Sequence, residues 1–305
     1  MQKAVPVEER GARGVGSTVS AYVNLMKPHV TVLLLGVTLA AMVVALNGLP
    51  PLGVTLATLI GGALAAGSAN AINCYWDRDI DEVMSRTRSR TLPSGRVEPR
   101  NALIFGLLIG TLSVVIFARW VNWASALLAL SAILFYVLVY TMWLKRTTAQ
   151  NIVIGGAAGA VPALIGWAAV APLRWDGALW TPLLMFTVIF LWTPPHFWAL
   201  SLVLKKDYAR AGVPMLPVVK GEAATYRQIF WYTLALVAST LLLVVSGGMG
   251  YLYLVVALVC GAGMIALAVR LARQGTLKSA RSMFWFSNYY LALMFAAMAL
   301  DHVIR

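Results

Sequence analysis

Long apolar stretches alternate with short polar ones along the whole chain. Apolar runs of spanning length fall at about 30–47, 52–72, 102–119, 122–143, 151–170, 179–203, 229–247, 250–269 and 284–301. A helix needs about 20 mostly apolar residues to cross a bilayer, so the pattern predicts nine transmembrane helices. The connections Asn47-Gly48-Leu49-Pro50-Pro51 and Gly247-Gly248-Met249-Gly250 read as turns between antiparallel helices. The thinnest separation is at Arg119–Val121, where one charge divides two runs.

Composition agrees. The 305 residues are 60% hydrophobic and only 11% charged, and mean hydropathy is +0.79. Soluble domains carry about 25% charged residues. A soluble globule, disorder, collagen and coiled coil are excluded. Cys74 and Cys260 lie far apart, with no CxxC or Cys/His spacing, so neither a disulfide framework nor a zinc site is expected. Residues 1–28 have no apolar core and no small-residue cleavage site, and read as an N-terminal cytoplasmic arm. Glu8 and Glu9 count against a mitochondrial transit peptide. Residues 29–305 are expected to form a single transmembrane domain.

Net charge is +13. In a soluble chain this would suggest nucleic acid; here topology explains it, and no nucleic-acid partner is expected. Alternate loops hold 21 of the 24 Lys and Arg residues, and only Arg119, Arg174 and Arg305 fall on the other side. The positive-inside rule puts the N-terminus inside and the C-terminus outside. It orients a multi-pass protein of a bacterial cytoplasmic (inner) membrane with its long loops, 77–100 and 204–228, facing the cytoplasm. These loops follow spans two and six, which suggests two four-helix halves plus a ninth helix, without a clear sequence repeat. No acid falls at mid-span, which argues against an intramembrane proton or ion path.

The strongest local signal is Asn73-Cys-Tyr-Trp-Asp77-Arg-Asp79-Ile-Asp81-Glu82 at the end of span two. On a helix, Asn73, Asp77 and Asp81 share one face and Asp79 points away. Carboxylates so close repel unless a cation intervenes. Mg²⁺ is the natural candidate, because it takes one or two carboxylates and fills its other positions with water and phosphate oxygens; Mn²⁺ fits the same ligands. Arg86, Arg88, Arg90 and Arg96 follow, and guanidinium forks suit phosphate. Metal-binding acids and phosphate-binding arginines beside an apolar bundle fit a lipid diphosphate. The plain alternative is a surface cluster of internal ion pairs.

Three other features have double readings. His196 sits in Leu191-Trp-Thr-Pro-Pro-His196-Phe-Trp-Ala, where Pro194-Pro195 should break the helix. It could ligate haem iron, bond a substrate carboxylate, or be a structural His bonded to a freed carbonyl. In the second long loop, Asp207 could hold a second metal with Lys205, Lys206 and Arg210 near phosphate, or the loop is simply solvated. Lys145 and Arg146 either anchor span four or add to a phosphate pocket. Gly155-Gly156 and Gly159 have the spacing of close helix packing.

Together these strings resemble the UbiA-type intramembrane prenyltransferases. The superfamily likeness rests on Asn73, Asp77, Asp81, the nine-span layout and the second inner loop. Likeness to the haem-prenylating branch rests on Lys27-Pro28, Asn73 to Gly95, Tyr140 to Arg146, Asn151-Ile-Val-Ile-Gly-Gly, Leu191 to Trp198, and Asp207 to Pro217. It covers about residues 22–220. The resemblance implies an all-α bundle of nine helices with a central cavity open to the bilayer. It implies transfer of the farnesyl group of farnesyl diphosphate to a vinyl group of haem B, giving haem O for terminal oxidases. Partners implied with it are the lipid bilayer and haem A synthase or oxidase assembly factors. Carried over residue by residue, Asn73, Asp77 and Asp81 are catalytic and bind Mg²⁺-diphosphate, with Asp207 as a further metal ligand. Arg86, Arg90, Lys145, Lys206 and Asp207 complete the diphosphate pocket, and His196 contacts haem.

There are departures. Asp207 is followed four residues on by Ala211, so the second D-x-x-x-D of many relatives is incomplete, as expected for the haem branch. Arg90-Thr91 stands for Arg-Pro, and Lys27-Pro28-His29 for Lys-Pro-Arg. Neither change removes a proposed ligand. The competing readings are a UbiA-type enzyme acting on an aromatic or quinone precursor and, more remotely, a transporter, which would place polar groups near the midplane.

Overall fold

The computed structural model describes residues 15–174, 179–246 and 248–304. Lys3, Glu8, Glu9, Arg10, Arg13, Asp176 and Arg305, which entered the charge reading, lie outside them. Among the described residues, a short helix α1 (Val15–Leu25) precedes nine helices that are long and apolar enough to cross a membrane. They are α2 (Pro28–Leu46), α3 (Leu52–Trp76), α5 (Pro99–Trp120), the unit Trp123–Thr147, α8 (Asn151–Val170), α9 (Trp180–Val203), α12 (Gly221–Val245), α13 (Tyr251–Gln274) and α14 (Leu277–Ile304). Short helices α4 (Arg78–Val83), α10 (Lys205–Arg210) and α11 (Leu216–Val219) lie in the two long connections. Span four is composite: α6 (Trp123–Leu134), a π-helical stretch Phe135–Leu144, and the last turn α7 (Lys145–Thr147).

All nine expected spans form, but several start earlier than their apolar runs. The doubtful break after Arg119 is real. Asn122 caps the next helix, its side chain accepting the Ser125 N–H at 2.8 Å. Helix α12 begins at Gly221, which shortens the second long connection from 204–228 to 204–220. Helix α14 begins at Leu277, with Thr276 Oγ1 accepting from the Ser279 N–H. In both cases polar residues extend the helix past the hydrocarbon, where hydropathy no longer reports it. Pro194 and Pro195 do not break α9, which runs on to Val203. In a spanning helix, packing against neighbours sustains the turns that proline weakens.

The expected division into four plus four plus one does not hold. One core joins α2, α8, α9, α12, α13 and α14, and a second joins α3, α5, α6 and Ile165 of α8. Helix α2 packs more extensively on α8 than on its sequence neighbour α3, and Gly166 admits its backbone there. A Cβ at Gly166 would lie 2.2 Å from the Thr38 carbonyl oxygen. Apolar side chains cannot drive helices together in lipid, so such close approach supplies the contact energy. A smaller cluster, Ile80, Met84, Ile152, Val213 and Met215, joins the two long connections at one end of the bundle.

Candidate active site

The acidic face lies where α3 ends. Asp77 closes α3 with φ −89° and ψ 10°, and α4 follows at once. The chain bends there, yet the helical bonds persist: Asp77 N–H reaches the Asn73 carbonyl at 2.9 Å, and Asp81 N–H the Asp77 carbonyl at 2.8 Å. The i, i+4, i+8 spacing therefore survives the bend. Asp77 is 0% exposed and Asp81 2%, so their charges require partners.

Basic side chains surround them. Asn73 Nδ2 donates to Asp77 Oδ2 at 2.6 Å and to Thr141 Oγ1 at 3.2 Å. Lys145 donates to Asp77 Oδ2. Arg90 Nη1 donates to both oxygens of Asp81, at 2.9 and 3.0 Å. Lys27 Nζ donates to Asn73 Oδ1 at 3.2 Å. Burial lowers the ammonium pKa of Lys27, and the nearby Arg90 and Lys145 charges add to the effect. Burial alone would also lower that of Arg90, but the Asp81 carboxylate outweighs it and raises the guanidinium above its usual value. Asp77 Oδ1 is buried and accepts no hydrogen bond from the described residues; Arg146 Nη2 stands 3.6 Å away.

Asp79 points away from this face, as its spacing requires. It takes both Arg146 Nη atoms at 2.7 Å. That hydrogen bond, more than any other influence, holds the Asp79 carboxyl down at about 2. Arg146 thus bridges the surface acid and the buried one.

Span four reaches the site through its π-helical stretch. Wide turns of this kind recur at functional sites. Here one places Thr141 against Asn73 while Lys145, four residues on, meets Asp77. Gly155 makes room for Tyr140, since a Cβ there would lie 2.3 Å from Tyr140 Cδ2. The small-residue reading holds for Gly155 and Gly156, the latter against Thr193, but not for Gly159, which has nothing within 4 Å.

The second connection docks on the first. Ser85 donates to Asp207 Oδ2, and Arg210 Nη2 lies 3.3 Å from Asp207 Oδ1. Among the described residues no three His, Cys, Asp or Glu side chains gather, so Asp207 does not join Asp77 and Asp81 in one cluster. Lys206 is exposed and pairs with no carboxylate among the described residues. Arg86 is also exposed. His196 sits in an aromatic cage, its centroid 4.3 Å from Trp192 and 4.7 Å from Phe284. Its Nδ1 bonds Ser287 Oγ at 2.8 Å, a hydroxyl of α14 and not a freed carbonyl of α9.

The structure therefore brings together Asn73, Asp77, Asp81, Arg90 and Lys145, while Asp207 bonds Ser85 of the first long connection and stays outside that group. Sequence reasoning missed Lys27, Thr141 and Ser85 as site residues. Thr141 carried a usable signal, standing four residues before Lys145.

The model of the UbiA prenyltransferase family matches residues 34–297. The chain belongs to this family. It is 54% identical over 288 residues to the protoheme IX farnesyltransferase of Symbiobacterium thermophilum, covering 94% of this chain and 95% of that one. Two UbiA-fold structures are similar at low identity. Digeranylgeranylglyceryl phosphate synthase matches with TM-score 0.77 and 18% identity, over 94% of this chain and 99% of that chain. A UbiA homolog from Archaeoglobus fulgidus bound to DMAPP and Mg2+ matches with TM-score 0.62 and 17% identity, over 92% and 99%.

Proposed function

We propose that this UbiA prenyltransferase moves the farnesyl group of farnesyl diphosphate to a vinyl group of haem B, forming haem O and releasing diphosphate. The observation that carries the reading is the buried Asp77–Asp81 pair ringed by Lys145, Arg90 and Arg146. The name of the Symbiobacterium relative supports haem as acceptor.

The residues fit a divalent ion. Asp77 and Asp81 sit one turn apart, the Asn73 carboxamide is beside them, and Asp77 Oδ1 is a buried acceptor without a donor. Hard oxygens suit Mg²⁺, and Mn²⁺ meets the same preference. The A. fulgidus homolog bound to DMAPP and Mg2+ supports divalent-ion use. When bound, the ion supplies positive charge to the diphosphate.

The chain's own groups do the rest. Lys145, Arg90 and Lys27 are preorganised donors for phosphate oxygens. As the allylic C–O bond breaks, its electron pair leaves on the diphosphate, and these cations meet the developing charge. The terminal vinyl carbon bonds to the farnesyl carbon. Water adds to the other vinyl carbon and gives up a proton, which accounts for the hydroxyl of haem O. Burial keeps water from reaching the farnesyl cation first. His196 is the haem contact: Ser287 holds Nδ1, and Nε2 makes no hydrogen bond to the described residues. By the positive-inside rule the site faces the cytoplasm.

The test is a reaction of the purified chain with haem B, farnesyl diphosphate and Mg²⁺, with an EDTA control and products read by mass. A metal-dependent haem product carrying a hydroxyfarnesyl group is expected. No new haem species, from folded protein that binds farnesyl diphosphate, would overturn the acceptor and send the search to aromatic and quinone precursors.

A further inference from the structure

A cavity opens at the end of the bundle that carries Asp207. Its volume is about 260 Å³, and it is lined by Gln150, Trp198, Leu216, Lys220, Ala224, Arg227 and Gln228. None of these residues takes part in the acidic face. Lys220, Ala224, Arg227 and Gln228 are spaced i, i+4, i+7 and i+8, which sets them on one stripe at the start of α12. Lys220 and Arg227 line the cavity while remaining exposed, and Gln228 stands half-buried beside them.

Neither cation is neutralised. The nearest acid in sequence, Glu222, is taken by Lys205 at 2.8 Å and by Tyr226 at 3.0 Å. Among the described residues no carboxylate lies within ion-pair distance of Lys220 or Arg227. Trp198, buried in α9, also lines the cavity. The first N–H groups of α12, a helix of 25 residues, begin at the same place and favour an anion. Leu216 and Ala224 give the cavity apolar walls.

We propose that this cavity is a phosphate-binding site separate from the prenyltransfer centre, and that it takes the headgroup of an anionic phospholipid. Its place supports a lipid source over free phosphate. Trp231, one turn beyond Arg227, is 59% exposed on the side of a spanning helix, where interfacial aromatic residues stand at headgroup level. Basic pockets between spanning helices are suited to lipid headgroups. The site has a structural consequence. Leu216 opens α11 and Lys220 follows it, at the end of the connection that carries Asp207, so an occupant would brace that connection.

The test uses the full chain, delipidated in neutral detergent. Native mass spectrometry and the melting temperature are followed on adding phosphatidylglycerol, phosphatidylcholine or inorganic phosphate. One tightly held phosphatidylglycerol with a raised melting temperature is expected, and weak retention of phosphatidylcholine. Retention should fall about tenfold or more in Lys220→Gln/Arg227→Gln, which removes two charge-assisted contacts. Protection by inorganic phosphate alone would uphold the site and identify free phosphate as its source. Lys278→Gln/Arg281→Gln is the control for diffuse attraction to a basic surface. An equal loss in that control, or full retention in Lys220→Gln/Arg227→Gln, overturns the proposal.

Discussion

The Lys27 ammonium donates to the Asn73 carboxamide oxygen at 3.2 Å, joining the start of the first spanning helix to the acidic face at the end of the second. Lys27 does this from a left-handed backbone, φ 52° and ψ 60°, which costs a non-glycine residue about 1–2 kcal/mol. The rest of the fold sustains that conformation, and through it the amide of Asn73 is aimed with its nitrogen toward Asp77 Oδ2.

Lys27→Gln keeps the backbone strain and removes the charge. Activity and farnesyl diphosphate affinity should fall about tenfold or more, the scale of one hydrogen bond to a charged group. Lys27→Arg should recover part of both. Wild-type kinetics in the Gln variant would place Lys27 outside the site.

Asp77→Asn and Asp81→Asn should each lower turnover by about two to three orders of magnitude in protein that still inserts. Asp77→Asn also leaves Lys145 without its counter-ion, which should cost about 3 kcal/mol of stability. Asp77→Asn/Lys145→Met should recover the melting temperature but not the activity. Full turnover in Asp77→Asn would remove the diphosphate assignment.

Gly155→Ala and Gly159→Ala separate a functional glycine from an incidental one. A Cβ at position 155 must move Tyr140. The expected cost is about 1–3 kcal/mol, with reduced turnover because Tyr140 shares the π-helical stretch with Thr141. Gly159 faces open space, so alanine there should be neutral or stabilise by about 0.5–1 kcal/mol. Equal melting temperatures for the two variants would contradict this packing.

His196→Ala should weaken haem binding and shift its visible spectrum, while farnesyl diphosphate binding stays unchanged. Ser287→Ala, which frees Nδ1, should give a smaller shift of the same kind. Unchanged haem spectra in both would return His196 to a packing role between Trp192 and Phe284.

The Asp79–Arg146 pair sets a pH dependence. The Asp79 carboxyl is held at about 2 in the folded chain, against about 3.9 unfolded. Its stabilisation is therefore complete above about pH 4 and disappears as pH falls toward 2. The pair is exposed, so the effect should stay within about 1 kcal/mol. Asp79→Asn should melt slightly below wild type at pH 5 and level with it near pH 2. A constant gap across that range would exclude the pair as its source.

Nine spans were legible because a bilayer imposes one simple demand. Each crossing needs a long apolar run, and hydropathy reads such runs directly. Helix ends were less legible. The starts of α12 and α14 lie in polar sequence held by side-chain bonds, Lys205 to Glu222 and Thr276 to Ser279. The acidic face was legible because three oxygen-bearing side chains four residues apart need only a helix to meet. The bend at Asp77 preserved that spacing through two backbone bonds.

By itself, then, the sequence determined the nine-helix membrane fold, the face shared by Asn73, Asp77 and Asp81, and the outward aim of Asp79. Each follows from local periodicity and burial. Only the tertiary structure decided which partners meet that face. Lys27 is 46 residues from Asn73, Lys145 is 68 from Asp77, and Ser85 is 122 from Asp207. It also decided that Ser287, 91 residues from His196, takes the imidazole. Such pairs depend on which helices pack side by side. In lipid that choice rests on close fits such as Gly166 against Thr38, not on apolar pattern.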